Sequence, residues 1–505
     1  MDSPIVSAAE MRAAEEAAFA RGIEVEALMD QAGAGIARAV QKFFPGPGSC
    51  IVYAGKGHNG GDALVAAECL QRAGWQIDVR LPFPEDQCSE LTRKKLAALR
   101  DPRRDELPLV QERAEARPSA TIILDGLLGI GTKSLLREPI RATARELNRL
   151  RFERNAFVFA VDVPSGFADS GEIDPDSVVA DFTITIGFAK HSLITDTALD
   201  FVGRIEVVPL PDLSAEGSGN EILATAPSLA TLLPHRKFNA YKNQFGRIGV
   251  VAGSKGFIGA AMMTVSGALR AGAGLVELFV PDDIYEIAAA AAPPEVMVKS
   301  TRGYRDLADE KMDVWAVGPG LGKAHAARIR DLMARVEQPM VVDADGLNIL
   351  AEEIDVLKRS RGPRLLTPHP GEMERIFPSG KMSRAGIART FTDQFAVTLL
   401  LKGSRTIVAQ KSLPLSYNQT GNPGMATGGM GDVLTGVCAG LIAQHLSLYD
   451  AARLGAWLCG RAAEICVFEK DSCEESLLPR DVLDNLGATL NRLRGSIETP
   501  RFAGT

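Results

Sequence analysis

The chain has 505 residues, of which 46% are hydrophobic and 24% charged, near the averages of soluble globular proteins and far from the apolar-poor composition of disorder. At roughly 150 residues per domain this length calls for about three domains or two large ones, which excludes a single small binding module. The 56 Lys and Arg against 63 Asp and Glu leave a net charge of −7, so no positive field draws the chain to nucleic acid or to an anionic membrane.

In chain order, Ser7 and Glu10 have the spacing of a capping box and predict a helix starting there. The first thirty residues hold no apolar core of signal-peptide length. The apolar stretch from Ala260 to Val280 is broken by Arg270 and several glycines, short of a membrane span. A cytoplasmic protein is expected. The seven cysteines are scattered without a Cys-x-x-Cys pair, predicting neither a disulfide framework nor a zinc site.

After Gly46-Pro47-Gly48, β-branched or aromatic runs predict strands at 50–54, 77–81, 121–125, 157–162, 182–186 and 205–208, with helical composition between most of them. Such alternation indicates a parallel sheet covered on both faces. The expected unit is a Rossmann-like doubly wound α/β domain over residues 1–214. From Leu210 to Lys242 Pro, Ser, Gly and Asn dominate and the alternation stops, which places the domain boundary there. Strands are predicted again at 247–252, 275–280, 314–317, 340–343, 365–367 and 397–401, with a hairpin partner at 406–409 and helices from Asp432 onward. This second α/β domain is expected over residues 225–500.

Ligands of open α/β sheets bind beyond the carboxyl ends of the strands, and polar, glycine-rich segments stand at several such ends. The first is Gly55-Lys56-Gly57-His58-Asn59-Gly60-Gly61-Asp62, running into an apolar helix whose N-terminus suits a phosphate. A dinucleotide fingerprint is a poor reading of it, because the acidic residue expected about 20 positions later is only Asp78, inside a strand. Asp125 precedes Gly126-Leu127-Leu128-Gly129, and Asp162 precedes Val163-Pro164-Ser165-Gly166. Asp62, Asp125 and Asp162 could each cap a helix or brace a turn. Together the segments make a polar pocket in which Asn59, Asp125 and Ser165 offer the hard oxygen ligands a simple cation accepts.

These three segments resemble the NAD(P)H-hydrate epimerase domain, over most of residues 1–209. The resemblance implies a potassium ion at Asn59, Asp125 and Ser165. It implies that the hydrated nucleotide contacts His58, Asn59, Gly60, Gly61, Asp62, Gly129, Ile130, Gly131, Thr132, Lys133, Ser134, Leu135 and Asp162, with Asp162 the candidate catalytic group. The chain departs from the family pattern at His58, where Asn is usual, and at Ala63, where Gly is usual.

In the second half the strand ends carry Gly253-Ser254-Lys255-Gly256, Gly318-Pro319-Gly320, Asp343-Ala344-Asp345-Gly346, Thr367-Pro368-His369-Pro370-Gly371-Glu372 and Lys402-Gly403-Ser404. The last sheet element leads into Asn422-Pro423-Gly424 and on to Gly428-Gly429-Met430-Gly431-Asp432. Glycine N–H groups ahead of an apolar helix form an anion hole for charge on a transferring phosphoryl group, and Asp432 is placed to accept a proton from a hydroxyl. Asp343 and Asp345 read as helix caps without an assigned role.

This constellation resembles the ribokinase-like superfamily, and within it the ADP- or ATP-dependent NAD(P)H-hydrate dehydratases, over about residues 237–494. The resemblance implies nucleotide contacts at Lys402, Gly403, Ser404, Arg405, Thr406 and Gly431, and contacts to the hydrated nicotinamide nucleotide at Ala261, Gly320, His369 and Asp432. The two resemblances imply one bifunctional repair activity: interconversion of the R and S hydrates of NADH and NADPH, then dehydration of the S form at the expense of ADP, giving AMP and phosphate, or of ATP. Mg2+ is the implied cofactor of the second step, with Asp432 as general base. The expected partners are small molecules, with neither nucleic acid nor membrane, and a homo-oligomer is expected. A rival reading makes the second half a small-molecule kinase fused to a nucleotide-sensing domain without chemistry.

Overall fold

Ser7 accepts the Glu10 N–H while the Glu10 carboxylate accepts the Ser7 N–H, so the capping box starts the first helix, Ala8–Ala20, as its spacing predicts. The computed structural model describes residues 3–101, 120–132, 134–215, 219–470 and 472–496. One compact unit covers Ser3–Gly219 and a second begins at Asn220.

The first unit holds strands β1 (Ser3–Val6), β2 (Ser49–Ala54), β3 (Gln76–Arg80), β4 (Thr121–Gly126), β5 (Phe157–Val161), β6 (Phe182–Ile186), β7 (Ala189–Lys190) and β8 (Arg204–Val208). Six of them form a wholly parallel sheet in the order β3-β2-β4-β5-β6-β8. Ile51, Tyr53, Ile123, Val158 and Ala160 face the helix Ile140–Glu153 through Ile140, Ala144 and Leu147. Alternate residues point the other way, where Phe159 stacks on Phe182 at 4.5 Å and Phe182 meets Phe43 of the helix Val25–Phe43 at 4.6 Å. The sheet is buried on both faces, the doubly wound arrangement expected. Its order reverses between β2 and β4, so the ligand crevice lies beyond the ends of these strands. Asp78 lies inside β3 beside Arg80, as its sequence position predicts.

In the second unit the strands are β9 (Glu221–Ala224), β10 (Arg247–Val251), β11 (Leu275–Pro281), β12 (Val296–Thr301), β13 (Val314–Val317), β14 (Met340–Val342), β15 (Arg364–Leu366), β16 (Thr398–Leu401), β17 (Ile407–Gln410) and β18 (Leu415–Asn418). They run in the order β12-β11-β10-β13-β14-β15-β16-β17-β18-β9. The predicted hairpin is there: β16 and β17 pair antiparallel. The stretch from Leu210 to Lys242 is not the strandless linker the sequence suggests, because β9 and the short helix Ala226–Ala230 lie within it. Elements of four and five residues between polar neighbours leave too little periodicity to register.

The reversal in this sheet falls between β10 and β13, and the segments after these strands are bound together by Gly253 N–H to Pro319 O at 2.8 Å and the Ser254 hydroxyl to Gly320 O at 2.7 Å. Helix Met430–Ala443 is buried from Val433 to its end. It crosses helix Ile258–Arg270 at glycines: a Cβ on Gly436 would stand 2.0 Å from Thr264 O, and one on Gly267 2.5 Å from Val433 O. That close crossing holds the N-terminal turn, with Gly431 and Asp432, at the edge of the core.

Candidate active sites

In the first unit, β2 runs through Gly55 and Gly57 into the helix His58–Arg72. The loop is tight enough that a Cβ on Gly60 would meet Gly55 O at 2.0 Å and one on Gly55 would meet Leu127 O at 2.0 Å. Asp125 is fully buried at the end of β4. Its carboxylate accepts the Ser165 hydroxyl at 2.6 Å and the N–H groups of Ser165 and Leu127 at 2.8 and 3.2 Å. No cationic side chain of the described residues pairs with it. Burial raises its pKa to about 6 against the hydrogen bonds from Ser165 and Leu127 that favour the charged form. Asn59 packs on the same loop, its side-chain oxygen 3.0 Å from where a Gly129 Cβ would stand, and its amide nitrogen is buried without a partner among the described residues. Turning the amide over puts an unpaired oxygen in that place.

Asp162 follows β5 with a left-handed φ of 67°. Its Oδ1 accepts the Ile186 N–H at 3.1 Å and the ammonium of buried Lys190. The loop carrying Gly129, Ile130, Gly131 and Thr132 is fastened by Gly131 N–H to Asp169 at 2.9 Å and Asp169 N–H to Thr132 O at 2.8 Å. A pocket of about 190 Å3 lies between this loop and Lys190, with Ile130, Val163, Asp169 and His191 in its wall. His58, Ser134 and Leu135 are exposed, and Lys133 lies outside the described residues. Ala63 is buried with its Cβ 2.4 Å from where a Cβ on Gly126 would stand, so the departure at Ala63 is accommodated because the facing residue is glycine.

In the second unit, the N–H groups of Gly431 and Asp432, in the first turn of Met430–Ala443, have no acceptor among the described residues. Lys402, at the end of β16, donates to Asp343 at 2.7 Å and stands 3.8 Å from Glu372. Asp343 also accepts the Thr435 hydroxyl at 2.7 Å. A Gly431 Cβ would lie 3.2 Å from Lys402 Nζ. Burial, then the charge of Asp343, raises the Asp432 pKa to about 6, with Lys402 opposing.

His369 caps the helix Pro370–Ile376: its Nδ1 accepts the N–H of Gly371 at 3.0 Å, leaving Nε2 on the half-exposed edge of the ring. Gly320, with φ 63°, takes a backbone closed to side chains, a Cβ there standing 2.8 Å from Phe257 O. Ser404 is exposed, whereas Arg405 is buried and its guanidinium pKa is lowered to about 10 by burial and by Arg384. Ala261 is 1% exposed, its methyl turned toward Gly253 of the loop that follows β10.

The profile described as YjeF-related protein N-terminus matches residues 25–192, and the one described as NAD(P)H-hydrate dehydratase matches residues 248–486. The bifunctional NAD(P)H-hydrate repair enzyme of Moorella thermoacetica is 35% identical over 94% of this chain and 94% of its own. The chain belongs to the bifunctional NAD(P)H-hydrate repair enzymes. The repair enzyme of Gloeobacter violaceus is 34% identical over 94% of this chain and 97% of its own. The ADP/ATP-dependent NAD(P)H-hydrate dehydratase of Bacillus subtilis, co-crystallised with ATP and Mg2+, is 28% identical over 54% of this chain and 99% of that one, with a TM-score of 0.48.

Within this repair enzyme, Asp343 is not the helix cap its position suggests: its carboxylate holds Lys402 and Thr435. Asp345 does brace a turn, accepting the Gly322 N–H at 2.8 Å. Lys190 and Glu15 gave no sequence signal, since each reaches its site from a distant element. An isolated Lys after a strand and a Glu in an exposed-looking helix are ordinary surface residues until the fold buries them.

Proposed function

We propose that the two units act in turn on hydrated NADH and NADPH, the first interconverting the R and S hydrates and the second dehydrating the S form with ADP or ATP. The observation that carries the second step is Asp432 in a first helical turn with unbonded N–H groups, where the neighbouring Gly431 lies beside the Lys402–Asp343 pair. Water is a poor leaving group, so the hydroxyl is first phosphorylated. Asp432 takes the hydroxyl proton while the oxygen attacks the terminal phosphorus and the bond to AMP breaks, or to ADP when ATP is used. Phosphate then leaves the ring carbon, pushed by the ring nitrogen's lone pair, and loss of a proton from the neighbouring carbon restores the double bond. The N–H groups of Gly431 and Asp432 hold the phosphoryl oxygens, and Lys402, Gly403, Ser404, Arg405 and Thr406 hold the nucleotide. His369, Gly320 and the backbone near Ala261 border the hydrated ring.

Among the described residues no three acidic, histidine or cysteine side chains gather into a metal cage. That suits Mg2+ carried mainly on phosphates, where it would neutralise phosphoryl charge, with Asp343 and Glu372 the nearby protein oxygens. For potassium, the uncompensated Asp125 carboxylate and the orphaned Asn59 amide are the fit, and Asn59, Asp125 and Ser165 would hold the ion, which supplies positive charge beside the substrate.

Purified R and S hydrates, each incubated with the full chain with and without ADP or ATP, test this reading. The S form regains reduced-nicotinamide absorbance only with nucleotide, and the R form follows through epimerisation. Nucleotide consumption that leaves a stable phosphoester would identify a kinase instead.

A further inference from the structure

The segment that joins β18 to the helix carrying Asp432 is anchored by buried charges that the dehydration scheme does not use. Glu464, the last residue of helix Leu448–Glu464, is fully buried. Its Oε1 accepts the Gly421 N–H at 3.0 Å, and its Oε2 accepts Nη1 of Arg461, one turn earlier on the same helix and 5% exposed, at 3.1 Å. Arg461 Nη2 donates to Glu469 Oε1 at 2.6 Å, and Glu469 pairs in turn with Arg492 of helix Pro479–Gly495. The chain between them takes a π turn over Ile465–Glu469, closed by the Lys470 N–H to Ile465 O at 3.1 Å, and such turns recur at functional sites. Two arginines and two glutamates thus form one chain of ion pairs that ends on a single backbone N–H.

The approach to that N–H is close. Helix Leu448–Glu464 meets the loop at Gly460, where a Cβ would stand 2.4 Å from Thr420 Oγ1 and 2.7 Å from Thr420 O, and the Thr420 hydroxyl donates to Trp457 O at 2.9 Å. Gly421 has a φ of 123°, which favours glycine. From there hydrogen bonds lead on to the anion hole: Asn422 Oδ1 accepts the Gly424 N–H at 3.0 Å, the Thr427 hydroxyl donates to Gly424 O at 3.0 Å, and the Met430 N–H reaches Thr427 O at 3.4 Å. Pro423, Ala426 and Gly428 are exposed, and a Cβ on Gly428 would meet nothing within 4 Å. At these positions the loop is open on its outer side, so its inner anchors set where it lies.

Resting on the reading of this unit as the dehydratase, we propose that Glu464 is a positioning residue for phosphoryl transfer. Through the Gly421 N–H it sets the loop that presents the N–H groups of Gly431 and Asp432 to the phosphoryl oxygens, and it touches no reacting atom. Stability is a poor account of these charges, because a buried ion pair replaced by apolar side chains of similar volume is often neutral or stabilising. What the carboxylate supplies, and an apolar side chain cannot, is a fixed acceptor for one N–H at a place where neither helix nor strand provides one. An anion hole works only if its donors stand in place before charge develops, and a misplacement of about 1 Å can cost about 100-fold.

Dehydration of pure S hydrate by the full chain, with kcat and nucleotide affinity measured separately, tests the assignment in two double variants. Arg461→Met with Glu464→Gln retains an oxygen for the Gly421 N–H, and Arg461→Met with Glu464→Leu removes it. Neither leaves a buried charge unpaired, since Glu469 keeps Arg492. The first should hold kcat within about threefold of wild type, and the second should lose about 10- to 100-fold. Nucleotide affinity by calorimetry should stay within about threefold in both, the pattern of an interaction felt only in the transition state, and it shows at the same time that the second unit is folded. If the second variant fails to fold, Glu464→Asp decides: its carboxylate is drawn back from Gly421 by one methylene, and kcat should fall at unchanged affinity. Equal kcat in the two double variants, wild-type kcat in Glu464→Asp, or a loss that falls on nucleotide affinity and not on kcat would overturn the positioning role while leaving the dehydratase reading intact. A wild-type chain that dehydrates no S hydrate would overturn both.

Discussion

Lys402 Nζ lies 2.7 Å from Asp343 Oδ1, and the other oxygen of that carboxylate accepts the Thr435 hydroxyl at 2.7 Å. One buried aspartate thus ties the ends of β14 and β16 to the helix that carries Asp432. It also sets the charge that Asp432 meets, since Asp343 is second only to burial in raising the Asp432 pKa.

Replacing Asp343 by Asn leaves the Lys402 ammonium with Glu372 alone, at 3.8 Å. Breaking a buried pair from one side typically costs about 3 to 5 kcal/mol, and the partial exposure of Lys402, 19% at its side chain, places this case at or below the lower end. Denaturant unfolding of the second unit should show the loss. The acid limb of dehydration should also move to lower pH, because a like charge beside Asp432 has gone and Lys402 is freed to act on it.

In the unaltered protein that limb should fall near pH 6. A carboxylate accepts a proton only when ionised, and the Asp432 pKa is raised to about 6, so with Asp432 as the proposed base dehydration should be full above this pH and fade below it. Asp432→Asn should lower turnover by about 100- to 10,000-fold and remove the limb, while nucleotide affinity, measured by calorimetry, stays near wild type. Near-normal turnover would make Asp432 a helix cap, and His369 the next base to test.

The strand ends were legible because a doubly wound sheet forces glycine and short polar residues to the carboxyl edge, where chain reversal and ligand approach coincide. The strand-end positions of Asn59, Asp125 and Ser165 and the helix-start position of Asp432 are therefore legible in the sequence. Lys190, Glu15 and Asp343 could not be assigned, since their roles depend on which distant side chain burial brings opposite them. The edge strand β12 and the short β9 escaped for a different reason: Val296–Thr301 carries Lys299, Ser300 and Thr301, and β9 has four residues, so neither shows the apolar run of a central strand.

Gly60 offers a test of loop geometry independent of charge. An added Cβ would stand 2.0 Å from Gly55 O, a backbone atom that no rotamer change can move. Gly60→Ala should therefore destabilise the first unit by about 1 to 3 kcal/mol, the scale of overpacking, and depress epimerisation by displacing Asn59 and Asp62. Dehydration of pure S hydrate by the same protein should be near normal; equal loss of both activities would mean that the distortion spreads beyond this loop.

Potassium should stabilise the first unit in a pH-dependent way. The Asp125 pKa is raised to about 6 from an ordinary 3.8, so the folded state binds the proton more tightly than the unfolded chain. Its contribution to stability is fully present below the unfolded value and is lost as pH rises through about 6, a loss on the order of 3 kcal/mol across that window. A cation that binds only the ionised carboxylate offsets this cost, and does so only where Asp125 is ionised. Hydrogen exchange of peptides spanning Asp125 should therefore slow on replacing NaCl by KCl at constant ionic strength at about pH 8, and change little at about pH 5. Asp125→Asn should abolish the potassium response and reduce the exchange rate at high pH without it, because the buried charge is gone while an amide can still accept the Ser165 hydroxyl. A potassium effect of equal size in Asp125→Asn would remove Asp125 from the cation site and leave Asn59 and Ser165 without the carboxylate that gives the site its charge.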